Sequence, residues 1–413
     1  MSMPRAPGRI VADGVPEAAD AMAAALMAPH RDHEIAESLT HPFHSYPARV
    51  HPATARVLVD VVIAAGGRRH GPIVDPFCGS GTTLVEALAA GYEAFGGDLN
   101  PLAVLVARAK TWIAPRGRLK AMRDKAHSIA GYALEAGKAA RRAGAEQAPM
   151  RKPEGFDPNA RNRRLASWFA PHVRRELEHL AMQTDELRAR DEEMGEVLTA
   201  CLSAILYKVS SRTSDTNGKW IDRTIARGAA ARNFAQRAEL LAAGLEDLAR
   251  DAKGVQMPRI VEQDARKLAL PVPAAGIVTS PPYAGTYDYA EHQRLRFDFL
   301  GLRHRELDAG EIGSRRSFEA SPEAEGQWKT ALTDAMSSIA RALAPGACAA
   351  LVIGDSVARN RAHYALDDLR DALTDELSIE AWASQERPML GRVELRAFAD
   401  RPKAEHVVLL RRR

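Results

Sequence analysis

The stretch from Gly71 to Lys110, GPIVDPFCGSGTTLVEALAAGYEAFGGDLNPLAVLVARAK, restricts the fold more than any other part of the chain. It reads as strand, glycine loop, helix, second strand and second helix, with Gly91 stopping the first helix, which is the βαβ alternation of a parallel sheet. Gly79 and Gly81 let a ligand come close to the backbone and to the positive end of the helix that follows. Asp98 stands 19 positions after Gly79, at the end of the next strand, where a carboxylate accepts hydrogen bonds from ribose hydroxyls. That pairing points to a nucleoside ligand. A phosphate-binding P-loop is disfavoured because no Gly-Lys-Ser/Thr follows, and because Asp75 at the loop entrance repels a phosphate while suiting a cationic amino-acid group.

Strand signals return much later, at PRIVEQ, AGIVTS, ACAALVIGD and EHVVLLR, with WKTALTDAMSSIARAL as a helix before Pro345-Gly346. Between Pro115 and about Val255 helical apolar spacing recurs instead, in VRRELEHLAMQTDELRAR and MGEVLTACLSAILYKVSS. The expected organisation is therefore a tail or loosely docked helix over 1–38, a first α/β part over 39–113, a helical insert over 114–257, and a second α/β part over 258–413. In the first of these, AADAMAAALMA reads as a short Ala-rich helix, since acidic Glu17 and Asp20 stand where a secretory signal carries basic residues. No apolar run approaches bilayer-spanning length, so a cytoplasmic protein without a membrane partner is expected. Cys78, Cys201 and Cys348 lack CxxC spacing, which argues for reduced, buried thiols and against a disulfide framework or structural zinc. A formal charge of +4 permits a polyanionic partner without demanding one.

The second feature is TSPPY, Thr279 to Tyr283, at the end of the AGIVTS strand. Two prolines fix φ twice and remove two backbone donors, so neighbouring carbonyls and side chains face open space as a rigid cup. Asp264, at the end of the PRIVEQ strand, is a candidate to hold an adenine amino group, or else a plain helix N-cap.

DPFCGSGTT followed by TSPPY resembles the amino-methyltransferases that modify N4 of cytosine or N6 of adenine in DNA with S-adenosylmethionine. The resemblance spans roughly residues 41–113 and 258–411, including GDLNPLA, VIGDS and EHVVLLRR. It implies an α/β fold with a doubly wound, seven-stranded Rossmann-like sheet interrupted by the helical insertion. It implies S-adenosylmethionine as cofactor, held by Asp75, Phe77, Cys78, Gly79, Gly81, Thr82, Asp98, Leu99, Asn100, Asp264 and Thr279. Tyr46, Pro47 and Ala48 in HPFHSYPARVHP match the segment lining the methionine end, while His41, His44 and His51 read as loop or capping residues, with no metal expected. The implied catalytic turn is Ser280, Pro281, Pro282 and Tyr283: the Ser280 hydroxyl and Pro281 carbonyl accept N–H bonds from the target amine, and Tyr283 stacks on a base flipped from the duplex. Serine at position 280 leans towards N4 of cytosine. Cytosine C5 chemistry is disfavoured, since Phe77, Ala200 and Ala347 precede the cysteines where a proline is usual. N6-adenine DNA methylation, RNA base methylation and an inactive nucleic-acid-binding protein stay open as alternatives, and a restriction endonuclease is a candidate partner.

YKVSSRTSDTNGKWIDRTIARGAAAR gathers Arg212, Lys219, Arg223 and Arg227 as candidate phosphate contacts, with Asn217 or Arg212 as candidate readers of base edges. The bland alternative is a solvated basic face with Trp220 packed beneath it. The loop from Gly301 to Gln327, carrying Arg303, His304, Arg305, Arg315 and Arg316, is a second candidate for DNA contact.

Overall fold

Adjacent residues on the central strands point to opposite cores, as the two-residue period of a strand buried on both faces requires. Ile73 and Val278 enter one core while their neighbours Val74 and Ile277 enter another. The computed structural model describes residues 8–67, 70–142, 157–212, 219–252 and 254–413; Asn217 lies outside them. Its strands are β1 (Ile10–Gly14), β2 (Ile73–Asp75), β3 (Ala94–Asp98), β4 (Arg259–Glu262), β5 (Ala274–Thr279), β6 (Leu343–Gly354), the hairpin β7 (Ser356–Ala358) and β8 (Arg361–His363), β9 (Leu377–Glu386) and β10 (Ala404–Arg412).

The main sheet has eight strands in the order β1-β9-β10-β6-β5-β2-β3-β4. The run β6-β5-β2-β3-β4 is parallel, and β10, β9 and β1 add antiparallel. Seven strands make the expected doubly wound sheet; β1 is additional. It pairs with β9 from Ile10↔Gln385 to Gly14↔Ala381. Four of its five residues are exposed, so it carries none of the alternation that reveals a half-buried strand. Helix α1 (Pro16–Arg31) follows it and buries Met22, Ala25 and Leu26 in the same core as α2 (Pro52–Gly66). Residues 10–31 are thus a docked strand and helix, where a tail or loose helix was expected.

Helices α3 (Thr82–Ala89) and α4 (Pro101–Lys110) complete the first βαβ unit. Between α4 and β4 lie α5 (Arg116–Arg142), α6 (Pro158–Trp168), α7 (Pro171–Arg190), α8 (Glu192–Leu206) and α9 (Ala229–Asp251). These insert helices share one hydrophobic core with Leu102, Leu105 and Val106 of α4 and with Leu295, Phe297 and Phe299. Gly244 of α9 lies so close to the chain at Leu39 that a Cβ would stand 2.1 Å from the Leu39 carbonyl oxygen. The insert is therefore packed into the α/β part through a shared core.

Chain order sets the site. From β2 the chain winds outward through β3 and β4, then returns to place β5 on the other side of β2. The direction of winding reverses between β2 and β5, and the crevice outside the carboxyl ends of strands at such a reversal is where doubly wound sheets bind ligands. The glycine loop leaves β2 there and TSPPY leaves β5 there.

Candidate active site

Gly79 (φ +48°) and Gly81 (φ +79°) both adopt left-handed conformations, which glycine reaches without steric cost. The Gly81 N–H donates to the Cys78 carbonyl over 2.7 Å and closes the turn into α3. A Cβ on Gly81 would come within 3.0 Å of Ala107 Cβ, so the loop also seats α3 on α4.

Asp98 organises the floor. Its Oδ2 accepts from Gly79 N at 2.8 Å and its Oδ1 from Asn100 N at 2.8 Å. Asn100 caps α4 through Leu102 N (2.9 Å) and donates from Nδ2 to the Tyr46 hydroxyl (3.1 Å). One hydrogen-bonded chain thus links glycine loop, acid, helix cap and Tyr46. Burial pushes the Asp98 carboxyl up to about 6, against the opposing pull of its backbone donors. Asp75, also buried, is pushed up to about 7 although the hydroxyls of Thr279 and Thr83 and the Phe77 N–H donate to it. The Thr279 bond, 2.6 Å long, ties the glycine loop directly to the end of β5.

Two cavities meet at Ser280. The first holds about 690 Å³ of empty space and is lined by Tyr46, Ala48, Phe77, Gly79, Asp98, Leu99, Asn100 and Asp264, with Ser280 and Pro282. A small recess beside it is lined by Asp75, Cys78, Thr82 and again Ser280. The second cavity, about 1070 Å³, is lined by Ser280, Pro281, Tyr283, Tyr287, Tyr289, Arg387 and Glu405, among others. Gly81 and Thr279 act from behind the wall, and Pro47 joins the lining residues Tyr46 and Ala48. Asp264 lines the first cavity, and it also caps a short turn through Arg266 N (2.9 Å) while pairing with the Arg266 guanidinium at 2.6 Å. Burial alone would raise its carboxyl, but the bonds from Arg266 hold it below the ordinary value.

Several wall residues had no assigned role in the sequence. Tyr289, Leu307, Gly310, Glu311 and Ile312 close the first cavity, so part of the 301–327 loop also walls this site. Glu311 accepts from the backbone N–H groups of Tyr289 and Ala290, and burial pushes it up to about 7. None of the three cysteines forms a disulfide, and all three are buried. His51 caps α2, accepting from Ala53 N at 3.2 Å, while His41 pairs with buried Glu86 at 2.7 Å and His44 with Ser203 at 3.0 Å. No described helix is long and apolar enough to cross a membrane.

The winding of the sheet, the glycine loop and the acid at the end of β3 define a Rossmann-like methyltransferase fold. Residues 43–136 match the family described as UPF0020, RMKL-like, methyltransferase domain. Over 94 residues, 22% of this chain, the sequence is 39% identical to the Type II methyltransferase M.MvaI of Kocuria varians, spanning 20% of that protein's length. Among solved structures, TrmN from Thermus thermophilus aligns with 88% of this chain and 49% of its own, at 12% identity and a TM-score of 0.33. The rRNA methyltransferase aviRa from Streptomyces viridochromogenes aligns with 92% of this chain and 93% of its own, at 13% identity and a TM-score of 0.34. The methyl donor of such a domain is S-adenosylmethionine. The chemistry of the lining suits it: Asp98 and Asp264 line the cavity as hydrogen-bond acceptors, and the adjoining recess carries Asp75, a third carboxyl.

Proposed function

We propose that the protein methylates the exocyclic amine of a base flipped out of DNA, with N4 of cytosine as the favoured acceptor. The observation that carries this reading is that Ser280 lines both the cavity walled by the glycine loop and Asp98 and the tyrosine-lined one. When bound, S-adenosylmethionine supplies an electrophilic methyl group. An exocyclic amine is a poor nucleophile because its lone pair is delocalised into the ring. The Ser280 hydroxyl and the Pro281 carbonyl oppose this by accepting the two N–H groups and favouring the pyramidal nitrogen of the transition state. Tyr283, whose ring lies against Gly354, offers a flat face for the base. Incubating the protein with methyl-labelled S-adenosylmethionine and either DNA or RNA, then digesting to nucleosides, tests the proposal. N4-methylcytosine from DNA is expected. Label in N6-methyladenine of DNA would shift the acceptor, and label found in RNA alone would overturn the DNA reading.

The acid at about 6 makes cofactor binding pH-dependent. Ionised Asp98 accepts through both oxygens and protonation removes its charge and one strong acceptor, so affinity is full above its folded value and falls as pH drops through it. Below pH 6 the dissociation constant for S-adenosylmethionine should rise by about tenfold per pH unit, as uptake of one proton requires. Calorimetry from pH 5 to 8 checks the slope; a flat profile would remove Asp98 from the site.

For the basic segment, the structure favours exposure over packing: Trp220 is 62% exposed, not buried beneath a bundle face. Arg212 and Arg223 are partly engaged. Arg212 donates to the Ser167 carbonyl at 3.0 Å and lies over the Trp168 ring, and Arg223 donates to the Lys208 carbonyl at 2.9 Å. Lys219 and Arg227 are exposed. Replacing Lys219, Arg223 and Arg227 together with Ala should weaken DNA binding on every sequence and reduce the salt slope by about one unit per lost phosphate contact. Titrations at several salt concentrations decide; an unchanged slope moves the DNA path away from this segment.

A further inference from the structure

The second cavity contains an ion pair that neither the turn nor the cofactor loop explains. Arg387 donates from Nη2 to Glu405 Oε2, and both residues line the cavity with Ser280, Pro281 and Tyr283. Strand pairing puts them there. The Arg387 N–H donates to the Lys403 carbonyl at 2.7 Å, extending the β9–β10 ladder by one step beyond Ala404↔Glu386. Glu405 is the register partner of Gly354, the last residue of β6. A Cβ on Gly354 would stand 2.7 Å from Tyr283 Cε2, so the pair reaches the same sheet edge as the tyrosine of the cup.

We propose that Arg387, oriented by Glu405, reads the ring edge of the target base and selects cytosine; this rests on the base-amine reading above. A guanidinium has five N–H donors and no acceptor, so one edge can hold the carboxylate while another presents a planar fork. Beside its amine, cytosine offers two neighbouring acceptors, N3 and then O2. Adenine offers N1 and then a C–H. With the amine seated on Ser280 and Pro281, the fork meets two acceptors on cytosine and one on adenine. Glu405 is a positioning residue: its own charge would repel the same edge, and its use is to turn the arginine. Side chains 37% and 29% exposed are accessible to a flipped base, unlike a buried structural pair. A purely structural ion pair at this exposure contributes little to stability and has no stake in which base is bound.

The test uses the full chain and DNA duplexes built on a sequence it methylates, with the target as cytosine or as 3-deazacytosine, in which N3 becomes C–H. The unaltered protein should lose about 10- to 100-fold in kcat/KM on the analogue, the discrimination typical of an arginine–base contact. Arg387→Ala should show a similar loss on cytosine and no further loss on the analogue. Arg387→Lys should recover part of the activity on cytosine alone, and Glu405→Gln should raise KM more than it lowers kcat, with S-adenosylmethionine affinity unchanged in each. Should Arg387→Ala fail to fold, the same comparison is read in Arg387→Lys. If the losses from variant and analogue multiply, Arg387 does not touch N3 and this inference falls while the proposed function stands. If the unaltered protein methylates neither base, the proposed function falls and takes the inference with it.

Discussion

Replacing Ser280 with Ala is expected to lower the single-turnover rate of methyl transfer by about 10²- to 10³-fold, the usual cost of removing one hydrogen-bonding group that acts on the transition state. Affinity for S-adenosylmethionine should change little, because the acceptors assigned to the cofactor are carboxylates on other strands. Ser280 also lies beside the Tyr283 phenol, whose ionisation burial pushes well up. The variant therefore removes an acceptor for the amine and a polar neighbour of the stacking ring, while the Pro281 carbonyl remains. A rate equal to that of the unaltered protein would sink the role. Lost cofactor binding would mean instead that the turn had collapsed into the first cavity, since Ser280 lines both.

Asp98→Ala should weaken S-adenosylmethionine binding by about 10- to 150-fold, because hydrogen bonds to an ionised acceptor are worth about 1.5–3 kcal/mol. Within the protein the same carboxylate holds Gly79 N and Asn100 N, so Ala also releases the glycine loop and the cap of α4. Asp98→Asn separates the two effects. It keeps one acceptor oxygen but must turn an NH₂ towards a backbone N–H, so the loop is disturbed with almost no change in volume. An affinity in Asp98→Asn equal to that of the unaltered protein would show that charge at this position is dispensable.

Local signals carried the parts of the site that lie within one strand–loop–helix unit. The glycine loop, Asp98 and Asn100 fall within one βαβ unit, and their geometry follows from φ preferences, helix ends and the position of a strand terminus. The Ser-Pro-Pro turn is legible for the same reason, since proline restricts its own backbone wherever it stands. The alternating or continuous apolar character of β2, β3, β5, β6 and β10 likewise follows from burial on both faces. β1 was illegible because an edge strand with one shielded residue has no pattern to read, and its place depends on β9 being there to pair with.

Arg387, Glu405, Tyr289 and Glu311 belong to a different category. No spacing links Glu405 to Ser280 across 125 positions; they share a cavity because β10 runs antiparallel beside β6, which runs parallel beside β5. Thr279 and Asp75 meet at 2.6 Å across 204 positions for a related reason, the return of the chain to the far side of β2. Sequence alone determined which residues have the chemistry to hold a nucleoside and an amine, because that depends on side-chain type and local backbone. Which distant residues face them was decided by strand order, because hydrogen-bonded register fixes neighbours in space and leaves no trace in the spacing of residues along the chain.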